Sequence, residues 1–180
     1  MNVEILIDID EALDYARQKL GNLQKKAPMA VRTAINNTAR EAKKQNEKIT
    51  KKTYTAKGDI HALQLKKATT GNLQAVLKDK GANVSVAHFR TYAGKTRVSA
   101  IINKTHGRRV LGKYGNKAFI WDDLVMVRKG KSRLPIEKLM SISSPVMHGN
   151  KNTWGQIEDE VKQKLYKNLD KQIAKMLGAL

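Results

Sequence analysis

Cysteine is absent from the sequence, which excludes disulfide bonds, thiolate metal sites and cysteine nucleophiles. Aromatic residues make up only 5% of the chain, so we expect a core of aliphatic side chains. No apolar run is long enough to span a membrane, and the opening segment lacks the basic start and continuous apolar stretch of a signal peptide. We therefore expect a protein without a membrane partner that stays in the cytoplasm, or leaves it only inside a larger particle.

Positive charge dominates what the sequence does contain. Its 35 lysines and arginines against 16 aspartates and glutamates give a formal net charge of +19. Acidic residues are concentrated before residue 25, whereas basic residues far outnumber acidic ones between residues 78 and 133. Such a surface attracts nucleic acid or any acidic partner, so the middle of the chain is where we expect an interaction surface.

The order of the sequence patterns predicts one domain of the α+β class over residues 1–180. An alternating strand and two amphipathic helices occupy 1–52, a basic region of short strand patterns occupies 72–148, and a long helix occupies 150–178. The connections between the short strands are too brief for crossover helices, which favours antiparallel pairing. We predict a mainly antiparallel sheet flanked by two N-terminal helices and a long C-terminal helix.

Local signals place the ends of these helices. Asp10 is the predicted N-cap of the first helix, and Pro28 lies in the first turn of the second, which we expect to end near Ile49. A short helical turn is predicted around residues 59–65. Thr153 is the predicted cap of the C-terminal helix.

Two helical stripes are candidate interfaces. The second helix presents the small residues Ala30, Ala34 and Ala42 on one face, which suits either a packed core or a ring interface, with the core favoured. The C-terminal helix presents a longer apolar stripe, which we expect to pack on the sheet or on a neighbouring subunit. Its members are Trp154, Ile157, Val161, Leu165, Leu169, Ile173 and Met176.

The sequence shows no catalytic or metal-binding constellation. The stretch GRRVLGKY has the glycine and lysine spacing of a phosphate-binding loop, but Tyr114 stands where a hydroxyl must hold magnesium, and no helix follows. Asp122 and Asp123 are adjacent, so their side chains diverge rather than form an acid–base pair. Four histidines lie in separate segments without a second ligand at helical spacing: His61, His88, His106 and His148. We predict no enzyme activity, no metal and no cofactor.

Basic side chains cluster in the loops around the strands of the middle region. The members of this predicted surface are Arg108, Arg109, Arg128, Lys129, Lys131 and Arg133. We expect them to face DNA or an acidic partner surface. No helix-turn-helix or ribonucleoprotein motif accompanies them, so the charge predicts affinity for polyanions rather than sequence-specific recognition. A basic DNA-binding architectural protein is the alternative interpretation.

The segment GKSRLPIEKLMSIS, residues 130–143, combines a basic turn with a strand-like alternation. We expect Pro135 to end the turn, because proline lacks the N–H that a central strand needs. Ile136, Leu139 and Ile142 are then predicted to return the chain to the core.

The chain also resembles a known family in its succession of segments. The small-residue helix APMAVRTAINNTAREAKK, then KAFIW, then VMVRKGKSRLPIEKLMSISSPVM and a long terminal helix resemble the prophage minor tail protein Z family of tailed bacteriophages. The resemblance runs from about Ala27 to the C-terminus. Its most recognisable residues are Ala34, Ile35, Asn36, Ala118, Phe119, Ile120, Arg128, Gly130, Lys131, Arg133, Pro135, Ile136, Ser144, Pro145 and Met147.

This resemblance implies a structural role in the tail of a phage or phage-like particle. Members of such a family act in tail completion at the end that meets the head, commonly as α+β subunits of a homo-oligomeric ring with sixfold symmetry. The implied partners are other tail or neck proteins, such as the tail tube, terminator or connector, with non-specific contact to phage DNA. The implied location is the virion tail, after assembly in the cytoplasm of the host bacterium.

Overall fold

The computed structural model describes residues 2–7, 10–58 and 62–178 of the protein. Its helices are α1 (Asp10–Leu20), α2 (Ala27–Thr53), α3 (Ser144–Gly149) and α4 (Glu158–Met176). Its strands are β1 (Asn2–Ile7), β2 (Gln64–Lys66), β3 (Ala75–Lys80), β4 (Asn83–Ser85), β5 (Arg90–Ala93), β6 (Val98–Ile101), β7 (Arg109–Val110), β8 (Gly112–Lys113), β9 (Asn116–Lys117), β10 (Phe119–Trp121), β11 (Leu124–Arg128), β12 (Ile136–Lys138) and β13 (Met140–Ser143). The predicted α+β class is confirmed. None of the described helices is both long and apolar enough to cross a membrane.

The helices α1, α2 and α4 pack on one another and, with β3, enclose the first apolar cluster. The small-residue stripe of α2 faces inward, and Ala30, Ala34 and Ala42 are fully buried. Ile157 and Leu165 are buried with them, and Trp154 is half-buried against the same cluster. Both predicted stripes therefore form, and the small side chains of α2 allow the helix backbones to approach closely.

The strands form several small antiparallel sheets rather than the single sheet that the sequence predicts. Their orders are β1-β3-β2, β5-β6-β7, β8-β9, β10-β11-β12 and β13-β4. Leu111 and Leu139 lie between strands of different sheets, and their N–H groups donate to Val98 and Val125 oxygens at 2.9 and 2.8 Å. The chain bends from one sheet into the next at these residues because each strand is too short to continue a wide twisted sheet.

Two further apolar clusters fill the β-rich half and its contact with the helices. One contains Val125, Val127 and Leu139, so the predicted return of Leu139 to the core is confirmed. The other contains Tyr54, Phe89 and Met147, with Ile142 packed against it. Ile136 is only half-buried. The pleat of β12 turns Glu137 to the same face of the sheet as the buried Val127, and therefore turns Ile136 to the opposite face.

Several local predictions need correction. The second helix continues to Thr53, beyond the predicted end near Ile49. Gln64 and Leu65 belong to β2 rather than to a helical turn, and residues 59–61 of that prediction lie outside the described residues. The sequence around Ser144 has a strand and turn pattern, so the helix α3 was not predicted. This helix begins at Ser144 with a proline in its first turn.

The predicted caps also differ from the structure. The first helix begins at Asp10, as expected, but the side chain of that residue lies outside the described part of the chain. The Thr153 hydroxyl does not cap a helix amide. Because it is fully buried beside the end of α3, its single hydrogen is shared among the carbonyl oxygens of Met147 at 2.6 Å, His148 at 2.9 Å and Asn150 at 2.9 Å.

A group of buried polar side chains, here called the polar junction, joins α2, β3 and α3. Its members are Asn46, Thr50, Asp79, Ser144 and His148. Asn46 donates to the His148 carbonyl at 3.1 Å, and its Oδ1 lies 2.6 Å from His148 Nδ1. His148 Nε2 lies 3.8 Å from the Asp79 carboxylate, which also accepts a hydrogen bond from Ser144. Asn46 and Thr50 are fully buried although they lie in a lysine-rich stretch of α2.

We predict that Ala34→Trp destabilises the isolated chain by at least about 3 kcal/mol, because an indole cannot fit at a fully buried helix-packing site. Chemical denaturation monitored by circular dichroism measures the loss. Lys44→Trp, at an exposed position of the same helix, is the control and leaves stability nearly unchanged. A fully stable Ala34→Trp chain that fails only in assembly would restore the interface interpretation.

We predict that Asn46→Ala lowers the free energy of unfolding by about 2–4 kcal/mol, because it removes two hydrogen bonds to buried groups of His148. The same denaturation experiment measures it. Asn37→Ala removes a hydrogen bond to Arg40 at the exposed surface and costs less than about 0.5 kcal/mol. Equal losses in the two variants contradict the structural role of the polar junction.

Candidate interaction surface

The predicted basic residues divide between two small sheets. Arg108 and Arg109 lie at β7, whereas Arg128, Lys129, Lys131 and Arg133 lie at the end of β11 and in the following loop. Arg108 is held in place, since its Nε donates to Ser99 at 2.7 Å and its guanidinium lies 4.3 Å from the Tyr92 ring centroid. Sequence analysis treats these cations as one surface, but the fold separates them into two sites.

The loop between β11 and β12 is fastened to the neighbouring hairpin β8-β9. The amide of Asn116 donates to the carbonyl oxygens of Arg128 and Gly130, at 3.0 Å each. Across the base of the loop, the Lys129 N–H donates to the Pro135 carbonyl at 3.0 Å. These bonds give the loop a defined position, so its basic side chains project from a fixed base.

Glu137 neutralises part of the basic charge at this loop. Its carboxylate lies 2.6 Å from the Lys113 ammonium and 3.3 Å from that of Lys129. The hydrogen bond from Lys113 lowers the pKa of Glu137 below its ordinary value, and the bond from Lys129 acts in the same direction. Lys131 and Arg133 form no ion pair with the described carboxylates, so they carry the outward charge of the loop.

The sheet β10-β11-β12 is apolar on both faces. Its inner face buries Val125, Val127 and Leu139 in the second apolar cluster. We call the opposite side the outer face, and define it by Phe119, Trp121, Leu124, Met126, Arg128, Ile136, Lys138 and Met140. Phe119, Met126 and Lys138 lie side by side across the three strands, and Trp121 faces Leu124. Because the pleat alternates, these residues project together.

The outer face is exposed at some positions and buried at Met126, which is 8% exposed. Trp121 is 59% exposed and Met140 is 46% exposed. Leu124 and Ile136 are half-buried at opposite ends of β11, and the Arg128 guanidinium lies 5.2 Å from the Phe119 ring centroid. Antiparallel sheets that face water on one side normally place polar residues there. A contiguous apolar face with basic residues at its margin is instead typical of a protein interaction surface.

Tight turns present aromatic residues at the ends of two hairpins. Asp122 and Asp123 both have positive φ, at 50° and 57°, and form the two-residue turn between Trp121 and Leu124. Tyr114, also at positive φ, begins the turn of β8-β9 and is exposed, with the Lys113 ammonium 4.6 Å from its ring centroid. A left-handed tyrosine is uncommon, and its exposure here adds an aromatic group beside the basic loop.

The polar junction is a buried group and not an open pocket. Ser144 donates its hydroxyl to the Asp79 carboxylate. His148 is fully buried and Ser144 is nearly so, which closes the group to a substrate. Within the described ranges, histidine and carboxylate side chains form no group that could hold a metal ion.

The structure places the interface candidates of the helical stripes in or against the chain's own core, which is the interpretation that the sequence favours for the α2 stripe. Ala30, Ala34, Ala42, Ile157 and Leu165 are all buried inside the chain's own helical core. They are unavailable to a neighbouring subunit while the helices remain packed. Trp154 is half-buried against the same core. Sequence analysis missed the outer face, although apolar residues at successive positions of KAFIW and LVMV were a signal that both faces of these strands carry apolar side chains.

Comparisons with protein-family models, curated proteins and solved structures found no match for the chain. The role of the outer face is therefore argued from its geometry. Phe119, Arg128 and Ile136, which carry part of the resemblance to tail proteins, belong to this face. Ala34 and Ile35 lie in the helical core.

We predict that Lys113→Gln raises the pKa of Glu137 toward its ordinary value, because it removes the main hydrogen bond to the carboxylate. A depressed pKa in the folded state stabilises the loop above the unfolded pKa, and this contribution is lost as the pH falls through the folded pKa. Carboxyl NMR titration measures both proteins. Lys117→Gln is the control, and an equal shift there contradicts the direct pairing.

Proposed function

We propose that the chain is a non-enzymatic structural protein of a bacteriophage tail or tail-like particle. It acts in tail completion at the head-proximal end, as one subunit of a homo-oligomeric ring. The observation that carries this proposal is the outer face, on which Trp121 is 59% exposed and Met140 is 46% exposed. The resemblance of KAFIW and the following basic hairpin to minor tail proteins supports the same role.

The surface chemistry suits assembly rather than catalysis. The apolar residues of the outer face gain free energy when a partner removes them from water, at about 25 cal/mol per Å². Lys131 and Arg133 lie in the loop that extends from one end of this sheet and favour an acidic partner or DNA at the margin. The proposed partners are a neighbouring copy of the chain and other tail or neck proteins. DNA contact at the basic loop is non-specific in this proposal.

The proposal is tested by electron microscopy of particles from a host in which this gene is deleted. Tails of abnormal length, or tails without heads, are the expected result. Normal, infectious particles overturn the tail assignment, and a basic DNA-binding architectural protein then becomes the better interpretation.

We predict that the double variant Trp121→Ser, Met140→Ser folds but does not restore particles to the deletion host. Both side chains are largely exposed, so their loss changes the stability of the isolated chain by less than about 1 kcal/mol. The matched control is Met29→Ser, Leu177→Ser, which removes two apolar side chains that are 49% and 52% exposed on the helical half. Infectivity and thermal unfolding are measured for both. Full complementation by the outer-face variant would falsify this role for the face.

A further inference from the structure

A basic cleft lies where the end of α2 meets the β-rich half. It has a volume of about 460 Å³. Four cationic side chains from separate parts of the chain line it, and Tyr54, Thr55, Ala56 and Thr91 complete its walls. The cations are Lys51, Lys57, Arg90 and Lys104. None of them belongs to the basic surface that the sequence predicts. They lie far apart in the sequence, so no local cluster of basic residues marks them.

Backbone hydrogen bonds fix the walls of this basic cleft. The Thr55 N–H donates to the Ile102 carbonyl at 3.0 Å, and the Lys57 N–H donates to the His88 carbonyl at 2.9 Å. The Arg90 N–H donates to the Thr55 hydroxyl at 3.1 Å. Hydrogen bonds thus hold the segment after α2 against residues next to two strands. The cations therefore project from a rigid frame rather than from a loose loop.

The charge of the basic cleft is not neutralised within the described chain. No described carboxylate lines it, and none of its four cations forms an ion pair with a described carboxylate. Lys104 donates to the Lys51 backbone carbonyl at 3.2 Å, which places the Lys104 ammonium beside the end of α2. By contrast, Glu137 pairs with two lysines at the basic loop. A concave site lined by one sign of charge concentrates ions of the opposite sign.

A row of cations continues from the basic cleft along the solvent face of α2. Its members are Arg40, Lys44, Lys48 and Lys51, all exposed. Residues three and four apart lie on one face of a helix, and the row extends over about 16 Å. Glu47 lies within this stretch. Its carboxylate accepts a hydrogen bond from the Leu63 N–H at 3.0 Å and lies 3.8 Å from the Lys43 ammonium. A second pocket, of about 400 Å³ and with Arg32, Arg40 and Lys67 in its lining, lies at the far end of the row.

We propose that the basic cleft binds phosphate groups, and that their source is a nucleic-acid backbone that follows the row of cations on α2. Lysine and arginine donate charge-assisted hydrogen bonds to phosphate oxygens, and the Thr91 hydroxyl in the lining adds a neutral donor. A linear series of cations matches a polymer with regularly repeated phosphates better than a single small anion. The cleft binds the backbone without reading bases, since its described lining offers no exposed aromatic platform.

The test is fluorescence anisotropy of a labelled oligothymidylate with the purified chain over a series of salt concentrations. The double variant Lys57→Gln, Arg90→Gln is expected to bind at least about tenfold more weakly. Its slope of log K against log salt falls by about 1.4, because two phosphate contacts are lost. The matched control, Lys162→Gln, Lys167→Gln, removes the same charge from exposed positions of α4 and leaves the slope unchanged. Equal losses in the two variants overturn the site, since bulk charge then explains binding.

A second arm distinguishes the source of the phosphate. Thermal unfolding is measured with inorganic pyrophosphate at constant ionic strength, for the wild type and the cleft variant. Cleft-dependent oligonucleotide binding supports the nucleic-acid backbone. If only pyrophosphate shows cleft-dependent stabilisation, the nucleic-acid source is wrong and the site takes a small phosphorylated molecule. Neither arm depends on the tail proposal, because both use the purified chain and circular dichroism confirms its folding.

Discussion

The buried hydrogen-bonded contact between Asn46 and His148 is the constraint on which the rest of the structure depends. It joins the middle of the longest described helix to α3 and, through Asp79, to β3. Buried polar groups must keep their partners, so this contact sets the rotation of α2 about its axis. With that rotation fixed, Ala34 points into the helical core and Lys44 points to solvent.

The sequence predicts the helices better than the arrangement of strands. Apolar residues such as Ala30 and Ala34 in α2, and Leu165 in α4, recur at regular spacing along their own helices. This spacing predicts which residues are buried, because each helix has a single apolar stripe. The small sheets and α3 escaped prediction because strand boundaries depend on which short segments meet in space. Asn46 looks like an ordinary surface residue, since only the folded chain brings His148 to it. The basic cleft could not be predicted, because Lys57 and Lys104 share no sequence pattern.

The positions of the carboxylates determine where the positive charge of this protein is neutralised and where it is not. At the basic loop, Glu137 pairs with two lysines and projects from the face of β12 opposite to Ile136 and Lys138 of the outer face. At the basic cleft, the fold gathers cations from three segments without a described carboxylate. The net charge of +19 therefore does not act as a uniform field. One region combines apolar area with limited charge, which suits a protein partner, and the other concentrates charge, which suits a polyanion.

The packing of α2 against α4 also governs how the chain reaches this fold during synthesis. Asn168 donates to Thr38 at 3.0 Å, across a sequence separation of 130 residues. A ribosome therefore releases α1 and α2 long before α4 exists to cover their apolar stripes. The helical core closes only once nearly the whole chain has emerged, and such non-local contacts slow folding. Until then the nascent chain displays the aliphatic surface that chaperones recognise.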